Sequence, residues 1–452
     1  MHKKTTPTPK LQPGVVVLLK GSLCLLACLS LYLCLAAQAR AAIITPYVTL
    51  TGGWSDNVRL TRVPRSDFFI KAGIGVNGDW KWPGHSLLVR AGAQYAQYFD
   101  LNDLDGFDSA NVGFNYQYQP SPRWQFTVAD TYISTFDKPE LSDTGELITV
   151  RDTTGRVDRN TFTFKVLHKY SAYNSIDLMY TNTFTRGENE DQEDTDFNQL
   201  AANWIHRLTY QWELAVGVSG TRTDYQISPD EERGRAYTRL TRLVGPSMRT
   251  YGQLSYAINR ATSNDELTED SRNYETVSLE VGVSQDVSRR LSWQFGAGWS
   301  MVNGNDQYNN AADKGFPLLN ASITYRGPKW TLTGYATADL GQFDYLGDNS
   351  GLTVSHRAGL SYTYRFTKFQ DLTLNAAYVR NDYQESPITN INTQQGIVDS
   401  YVFSARYTWQ LHRHWRLSLE YSYLNRDAEV NDDDRQQNQV LLILYTDYPF
   451  RW

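Results

Sequence analysis

The sequence predicts an all-β fold, namely a transmembrane up-and-down antiparallel β-barrel of about 20 strands, with 18 strands as the alternative count. Three observations support this prediction. Apolar residues occupy every second position in many segments, the connections between these segments alternate in length, and the chain ends on an aromatic residue. A period of two places successive side chains on opposite faces of a strand. One face would contact lipid and the other would line a wet interior, as in barrels that span a membrane.

The first 41 residues have the composition of a secretory signal peptide. An apolar run from Gly21 to Ala37 is followed by small residues, so we expect cleavage after Ala39 or Ala41. The basic residues before the run are Lys3, Lys4, Lys10 and Lys20, and the three cysteines of the chain are Cys24, Cys28 and Cys34. The alternative is a membrane anchor, but the run is short for a span of about 20 residues. We therefore predict a signal peptide over residues 1–41 and an exported, disulfide-free barrel over residues 42–452.

Composition excludes two other classes of protein. Removal of residues 1–41 leaves 38 basic and 49 acidic residues, a net charge of −11, which argues against a nucleic-acid partner. A mean hydropathy of −0.50 excludes a helical membrane protein. The chain is nevertheless rich in aromatic residues, with 30 Tyr, 18 Phe and 12 Trp. A polar average with many aromatic residues fits a barrel whose strands are apolar on one face only.

The alternating segments follow one another along the whole mature chain. Representative residues of their lipid-facing sets are Val48, Ile74, Val89, Phe114, Phe126, Phe164, Leu178, Ala202, Val216, Leu254, Leu279, Phe295, Ala321, Leu332, Leu360, Leu374, Phe403, Leu419 and Leu442. The segment Ala236–Val244 is the weakest, because Arg239 and Arg242 break its alternation. Counting it as a strand gives 20, and merging it with a neighbour gives 18.

The connections between these segments alternate between short and long. Gln119–Arg123 and Leu411–His414 are typical of the short ones, and Ser55–Arg65 is typical of the long ones. This alternation is expected of a barrel with short periplasmic turns and long extracellular loops. The two longest loops, Asp137–Asp158 and Asn381–Asp399, are candidates to fold into the lumen, or else to cover the barrel as solvated caps.

The last residues of the chain provide a candidate assembly signal. Tyr448, Phe450 and Trp452 alternate up to the carboxyl end. This pattern resembles the closing strand of bacterial outer-membrane barrels, which the barrel-assembly machinery reads. We therefore expect the protein in the outer membrane of a Gram-negative bacterium, in contact with outer-membrane lipid and lipopolysaccharide.

The charged residues predicted to face the interior are mostly basic. The candidate lumen-lining basic residues are Lys71, Arg90, Arg207, Arg239, Arg357, Arg365, Arg406 and Arg416. A positive lining favours anionic solutes, whereas the alternative is that these charges are paired and brace the wall. The interior is expected to contain few aromatic residues, chiefly Phe69 and Tyr335.

The sequence contains no motif that indicates an enzyme. It has no nucleophile elbow, metal motif or phosphate-binding loop, so we predict no catalysis, no cofactor and no metal. His412 and His414 could ligate a metal, but a polar turn is the simpler interpretation. The acidic runs Glu188–Asp196 and Asp432–Asp434 could bind divalent cations, but they lack the EF-hand spacing and are interpreted as solvated loops.

The first strand and the loop after it read Tyr47-Val48-Thr49-Leu50-Thr51-Gly52-Gly53-Trp54-Ser55-Asp56-Asn57-Val58-Arg59-Leu60. A first strand that ends in Asp-Asn-Val resembles the putative β-barrel porin family found with exopolysaccharide export loci. The resemblance implies a pore through which a secreted polysaccharide or related polymer crosses the outer membrane, and a periplasmic polysaccharide-export component as a possible partner. A general diffusion porin and a structural or adhesive barrel with a closed lumen remain alternatives. We expect a monomer.

Overall fold

The structure is a computed structural model that describes residues 41–61, 63–136, 155–188, 194–226, 230–262, 272–304, 315–345, 348–383, 396–429 and 434–451. Residues 1–40 of the predicted signal peptide lie outside these ranges. The strands are β1 Ala41–Ser55, β2 Asp67–Trp82, β3 His85–Tyr98, β4 Gly106–Ser121, β5 Trp124–Phe136, β6 Arg156–Lys169, β7 Ser175–Gly187, β8 Thr195–Arg207, β9 Trp212–Tyr225, β10 Asp230–Leu243, β11 Met248–Thr262, β12 Arg272–Asp286, β13 Leu291–Gly304, β14 Gly315–Arg326, β15 Trp330–Tyr345, β16 Asp348–Thr367, β17 Gln370–Tyr383, β18 Gly396–His412, β19 Trp415–Ala428, β20 Arg435–Asp447 and β21 Phe450–Arg451. One turn of 3-10 helix, Asn102–Leu104, lies between β3 and β4. No helix in the described part of the chain is long and apolar enough to cross a membrane.

The strands form one closed antiparallel barrel. Each strand pairs with the next, and β1 also pairs with β20 from Tyr47 opposite Asp447 to Ser55 opposite Gln439. We call this β1–β20 pairing the seam. The two-residue strand β21 continues β20 and pairs with β1, so it is not a separate wall strand. The prediction of 20 strands is therefore confirmed.

Strand β10 decides the strand count. It runs from Asp230 to Leu243 and pairs along its length with both β9 and β11. The alternative of 18 strands is therefore wrong. The alternation of this strand looked weak because of Arg239 and Arg242. Arg239 lies on the inner face, whereas Arg242 lies on the outer face at the short-turn end, over the ring of Trp212 at 5.4 Å.

The apolar set of each strand lies on the outer face of the barrel and is exposed. Ile74 is 67% exposed, Leu200 63% and Leu279 57%. In the β1–β2 register Val48 lies opposite Ile74, and the two adjoining inward positions hold Thr49 and Gly73. The short-turn end of the outer face carries stacked aromatic rings, for example Trp124 on His168. Such rings are typical of the girdle where a barrel meets the membrane interface.

Several inward tyrosines lie flat against glycines of neighbouring strands. A Cβ atom on Gly75 would overlap the ring of Tyr47, and one on Gly217 would overlap the ring of Tyr237. Tyr251 lies in the same way over Gly282. Because glycine has no side chain, the ring can pack on the wall and leave the lumen free. The expectation that few aromatic residues face inward is therefore wrong.

Candidate functional site

The first loop, residues 56–66 between β1 and β2, lies inside the barrel against the inner face of β17–β20. Its residue 62 is outside the described part of the chain. Leu60 is 1% exposed and packs on Ala377, Val402 and Leu424. These three residues lie opposite one another on β17, β18 and β19. The loop therefore narrows the lumen from one side.

Asp56 fastens the beginning of this loop to β20. Its carboxylate accepts hydrogen bonds from the backbone N and from Nδ2 of Asn438, each at 2.7 Å. The backbone N of Asp56 donates in return to the Asn438 carbonyl oxygen at 3.1 Å. These contacts extend the seam beyond Ser55, the last residue of β1, by one residue.

Asn57 then turns the chain into the lumen. Its Nδ2 donates to the carbonyl oxygens of Thr61 at 2.8 Å and Gln436 at 3.0 Å, and its Oδ1 accepts from the backbone N of Thr61 at 3.0 Å. Leu60 has a φ of +50°, which is unusual for a branched side chain. The burial of Leu60 and the bonds of Asn57 compensate for this strained backbone.

A second loop, residues 99–105 between β3 and β4, packs beside the first. Leu101 lies with the inward residues Phe69, Ala96 and Tyr98 in an apolar cluster, against which Val58 of the first loop packs. The carboxylate of Asp67 accepts the backbone N–H groups of Asp100 and Leu101, at 3.0 and 2.8 Å.

An ion pair between Arg59 and Asp103 links the two loops directly. Together they cover the inner wall around the seam, from β17 through β20 to β3. Neither was among the loops expected to fold inward. The predicted candidates, Asp137–Asp158 and Asn381–Asp399, fall mainly on residues 137–154 and 384–395, outside the described ranges.

The register places all eight predicted lumen residues on the inner face, but in different environments. Three have carboxylate partners: Lys71 contacts Asp108 at 3.1 Å, Arg406 contacts Glu420 at 2.9 Å and Arg416 contacts Asp447 at 3.3 Å. Two lie over aromatic rings: Arg207 over Tyr173 at 3.8 Å and Arg239 over Tyr251 at 3.9 Å. The remaining residues, Arg90, Arg357 and Arg365, have no ion pair with any described residue.

Sequence reasoning missed two inward arginines, Arg233 and Arg235 on β10. The predicted segment begins at Ala236, whereas the described strand β10 begins at Asp230. Arg233, Arg235 and Arg239 are separated by two and four residues, and this period-two spacing is the signal that could have placed them on one face. In a ring of 20 strands, β10 lies half-way round from β20 and thus faces the first loop.

The remaining sequence candidates form no site. Asp194 and Asp196 of the acidic run contact Arg186 at 3.6 and 2.7 Å, while residues 189–193 and 430–433 lie outside the described ranges. The rings of His412 and His414 are 5.9 Å apart. Among the described residues no three potential metal ligands come together.

Two members of the predicted assembly signal are described. Tyr448 and Phe450 are 47% and 54% exposed, and Tyr448 stacks on His414 at 5.0 Å. Trp452 lies outside the described part of the chain.

A protein-family model described as "Putative beta-barrel porin 2" matches residues 42–447. The chain belongs to this family. It is therefore an outer-membrane β-barrel porin, which agrees with its closed wall and exposed apolar outer face. No curated protein matches this porin.

Solved structures similar to this porin include outer-membrane barrels of several kinds. The siderophore receptor PirA from Pseudomonas aeruginosa has 10% identity and a TM-score of 0.50, covering 90% of this chain and 80% of its own. The siderophore receptor PiuA from Acinetobacter baumannii has 10% identity and a TM-score of 0.50, covering 89% and 82%. OccK5 from Pseudomonas aeruginosa has 12% identity and a TM-score of 0.44, covering 91% and 98%. At these identities the two receptors support the barrel fold alone.

Proposed function

We propose that this porin is an outer-membrane pore through which an exopolysaccharide or related extracellular polymer passes. The observation that supports an open path is the uneven filling of the lumen. The two described loops cover the wall near the seam, whereas inward residues of β5 such as Thr131 and Ile133 are exposed, Ile133 by 37%. A barrel of about this size has room for water beside such loops.

The inner surface has features suited to a sugar chain. Tyr47 and Tyr445 stack at 5.7 Å on either side of the seam, and Arg416 lies over the ring of Tyr445 at 4.5 Å. Flat aromatic faces next to charged hydrogen-bond donors can contact both the apolar and the hydroxylated sides of a sugar ring. The tyrosines that lie against the wall give such a chain a smooth surface.

The route to the membrane and the partners belong to the same proposal. Residues 1–41 direct export and are removed, the barrel-assembly machinery reads the carboxyl-terminal aromatics, and the mature chain stays a monomer in contact with lipopolysaccharide. A periplasmic polysaccharide-export component would dock on the short turns, for example residues 413–414.

The candidate basic residues make the lumen favourable to anions, so small anionic solutes are the second substrate class.

Planar-bilayer recording with residues 42–452 tests this proposal. We expect steady single-channel conductance, anion preference, and current interruptions when an acidic polysaccharide is added. If small anionic solutes interrupt a steady conductance and the polysaccharide does not, the result would indicate a general diffusion porin. Silence over a wide voltage range would contradict the pore and favour a surface barrel with a closed lumen.

A further inference from the structure

The inner face of β10 carries arginines that form no ion pair with a carboxylate of the described residues. Arg233 and Arg235 are two of them, and the guanidinium of Arg239 lies over the Tyr251 ring at 3.9 Å. The Nε atom of Arg233 is buried and has no hydrogen-bond partner in the described part of the molecule. Burying such a donor without an acceptor is costly, and a bound anion would supply that acceptor.

Neighbouring side chains leave room beside these arginines. On β9 the residues opposite Arg233 and Arg235 are Thr221 and Ser219, and on β11 they are Asn259 and Ala257. All four are small or uncharged. Asn259 is 3% exposed, and its side-chain oxygen has no described partner. This oxygen can accept a hydrogen bond from a hydroxyl group.

Two described carboxylates near these arginines, Glu280 and Glu231, form no ion pair with Arg233 or Arg235. Glu280 on β12 accepts a hydrogen bond from the Tyr251 hydroxyl. Glu231 is buried at the extracellular end of β10. Tyr237, between Arg235 and Arg239, donates its hydroxyl to Asn203 Oδ1 at 2.9 Å. The guanidinium groups of Arg233 and Arg235 are therefore available to a solute.

We propose that Arg233 and Arg235, with Asn259 beside them, form an oxyanion-binding subsite for a carboxylated or phosphorylated solute that also carries hydroxyl groups. A guanidinium presents a planar fork of N–H donors that matches carboxylate and phosphate oxygens. Arg239 lies further along the same strand and provides the next positive position towards the short-turn end. This inference rests on the proposed function for its transport role, but binding at the subsite does not require conduction.

The test uses residues 42–452 and two probes, inorganic phosphate and galacturonate, with glucose as the neutral control. Isothermal titration of the detergent-solubilised barrel should show saturable binding of at least one probe and none of glucose. Arg233→Gln and Arg235→Gln should each weaken binding about tenfold or more, because each removes hydrogen bonds to a charged group. Phosphate binding without galacturonate binding would identify a phosphorylated solute, and the reverse a carboxylated one.

Arg249→Gln is the matched control. Arg249 is also inward, exposed and without a described ion pair, but lies at the short-turn end of β11 and is not one of the candidate anion-favouring residues. It should leave probe affinity unchanged although it removes the same charge. If all three variants weakened binding equally, the subsite would be overturned and only a general positive field would remain. If the wild type bound neither probe, the subsite would also be overturned. Conductance recorded in parallel separates the two proposals: binding without conductance contradicts the pore alone, whereas conductance without binding contradicts the subsite alone.

Discussion

The side chain of Asn57 is the part of the first loop whose removal should open the lumen most. Asn57→Ala deletes three hydrogen bonds, two to Thr61 and one to Gln436, from a side chain that is 1% exposed. At about 1 kcal/mol net for each bond, the inward loop loses about 3 kcal/mol. A tenfold change in population corresponds to about 1.4 kcal/mol, so the displaced loop should become about a hundredfold more populated. The wall pairs are untouched, so the barrel itself should still fold.

A buried thiol reports the position of the loop. Residues 42–452 contain no cysteine, so Leu424→Cys in this part of the chain introduces a single one. Leu424 is 4% exposed and packs against Leu60. In the otherwise wild-type chain this thiol should react slowly with a maleimide. Adding Asn57→Ala should accelerate labelling by about two orders of magnitude and raise single-channel conductance.

Asn115→Ala is the control for this experiment. Asn115 is an inward, exposed asparagine of β4 with no described hydrogen bond, so its removal should alter neither labelling nor conductance. If Asn57→Ala left both the labelling rate and the conductance at wild-type values, the loop would be held by other contacts and the estimate from its three bonds would be wrong.

Three further perturbations test the wall and the closing strand. Gly75→Ala should lower stability to urea by about 1–3 kcal/mol through overpacking against the Tyr47 ring, whereas Gly52→Ala, which has open space around it, should be close to neutral. Asp130 lies at the middle of β5 on the lipid-facing side, so Asp130→Asn should raise stability in vesicles by about 1 kcal/mol; an unchanged or lower value would show that the carboxylate is not exposed to lipid. Phe450→Ala should reduce the amount of folded porin in the outer membrane of cells while leaving refolding in detergent intact; equal losses in both would indicate a structural role and not an assembly signal.

The wall of the barrel could be predicted from sequence because its rule is local. Apolar residues at every second position set the outer face strand by strand, without knowledge of any partner strand. Strand β10 shows where that rule becomes weak. Its start was placed too late because arginines occupy inward positions near its extracellular end, and charged residues resemble a loop when the interior is not known to be wet.

The interior could not be predicted in the same way, because its contacts join distant parts of the chain. Leu60 is buried only because Ala377, Val402 and Leu424 form one row across three strands. Nothing near Leu60 in the sequence indicates this. Likewise, the inward tyrosines resemble girdle residues until the register places glycines beneath them. The motif Asp56-Asn57-Val58 suggested the family from sequence, but its contacts with β20 are visible only in the structure.

The attachment of the first loop to β20 implies an order of events during folding. The partners of Asp56 and Asn57 on β20 are synthesised more than 370 residues later, and contacts so distant in sequence form late. The loop cannot take up its inward position until the last strand has met the first. An unfinished barrel would therefore have a wide, unobstructed interior, and the narrow passage would appear only when the circle closes. The width of the lumen in this porin therefore depends on whether the wall has closed.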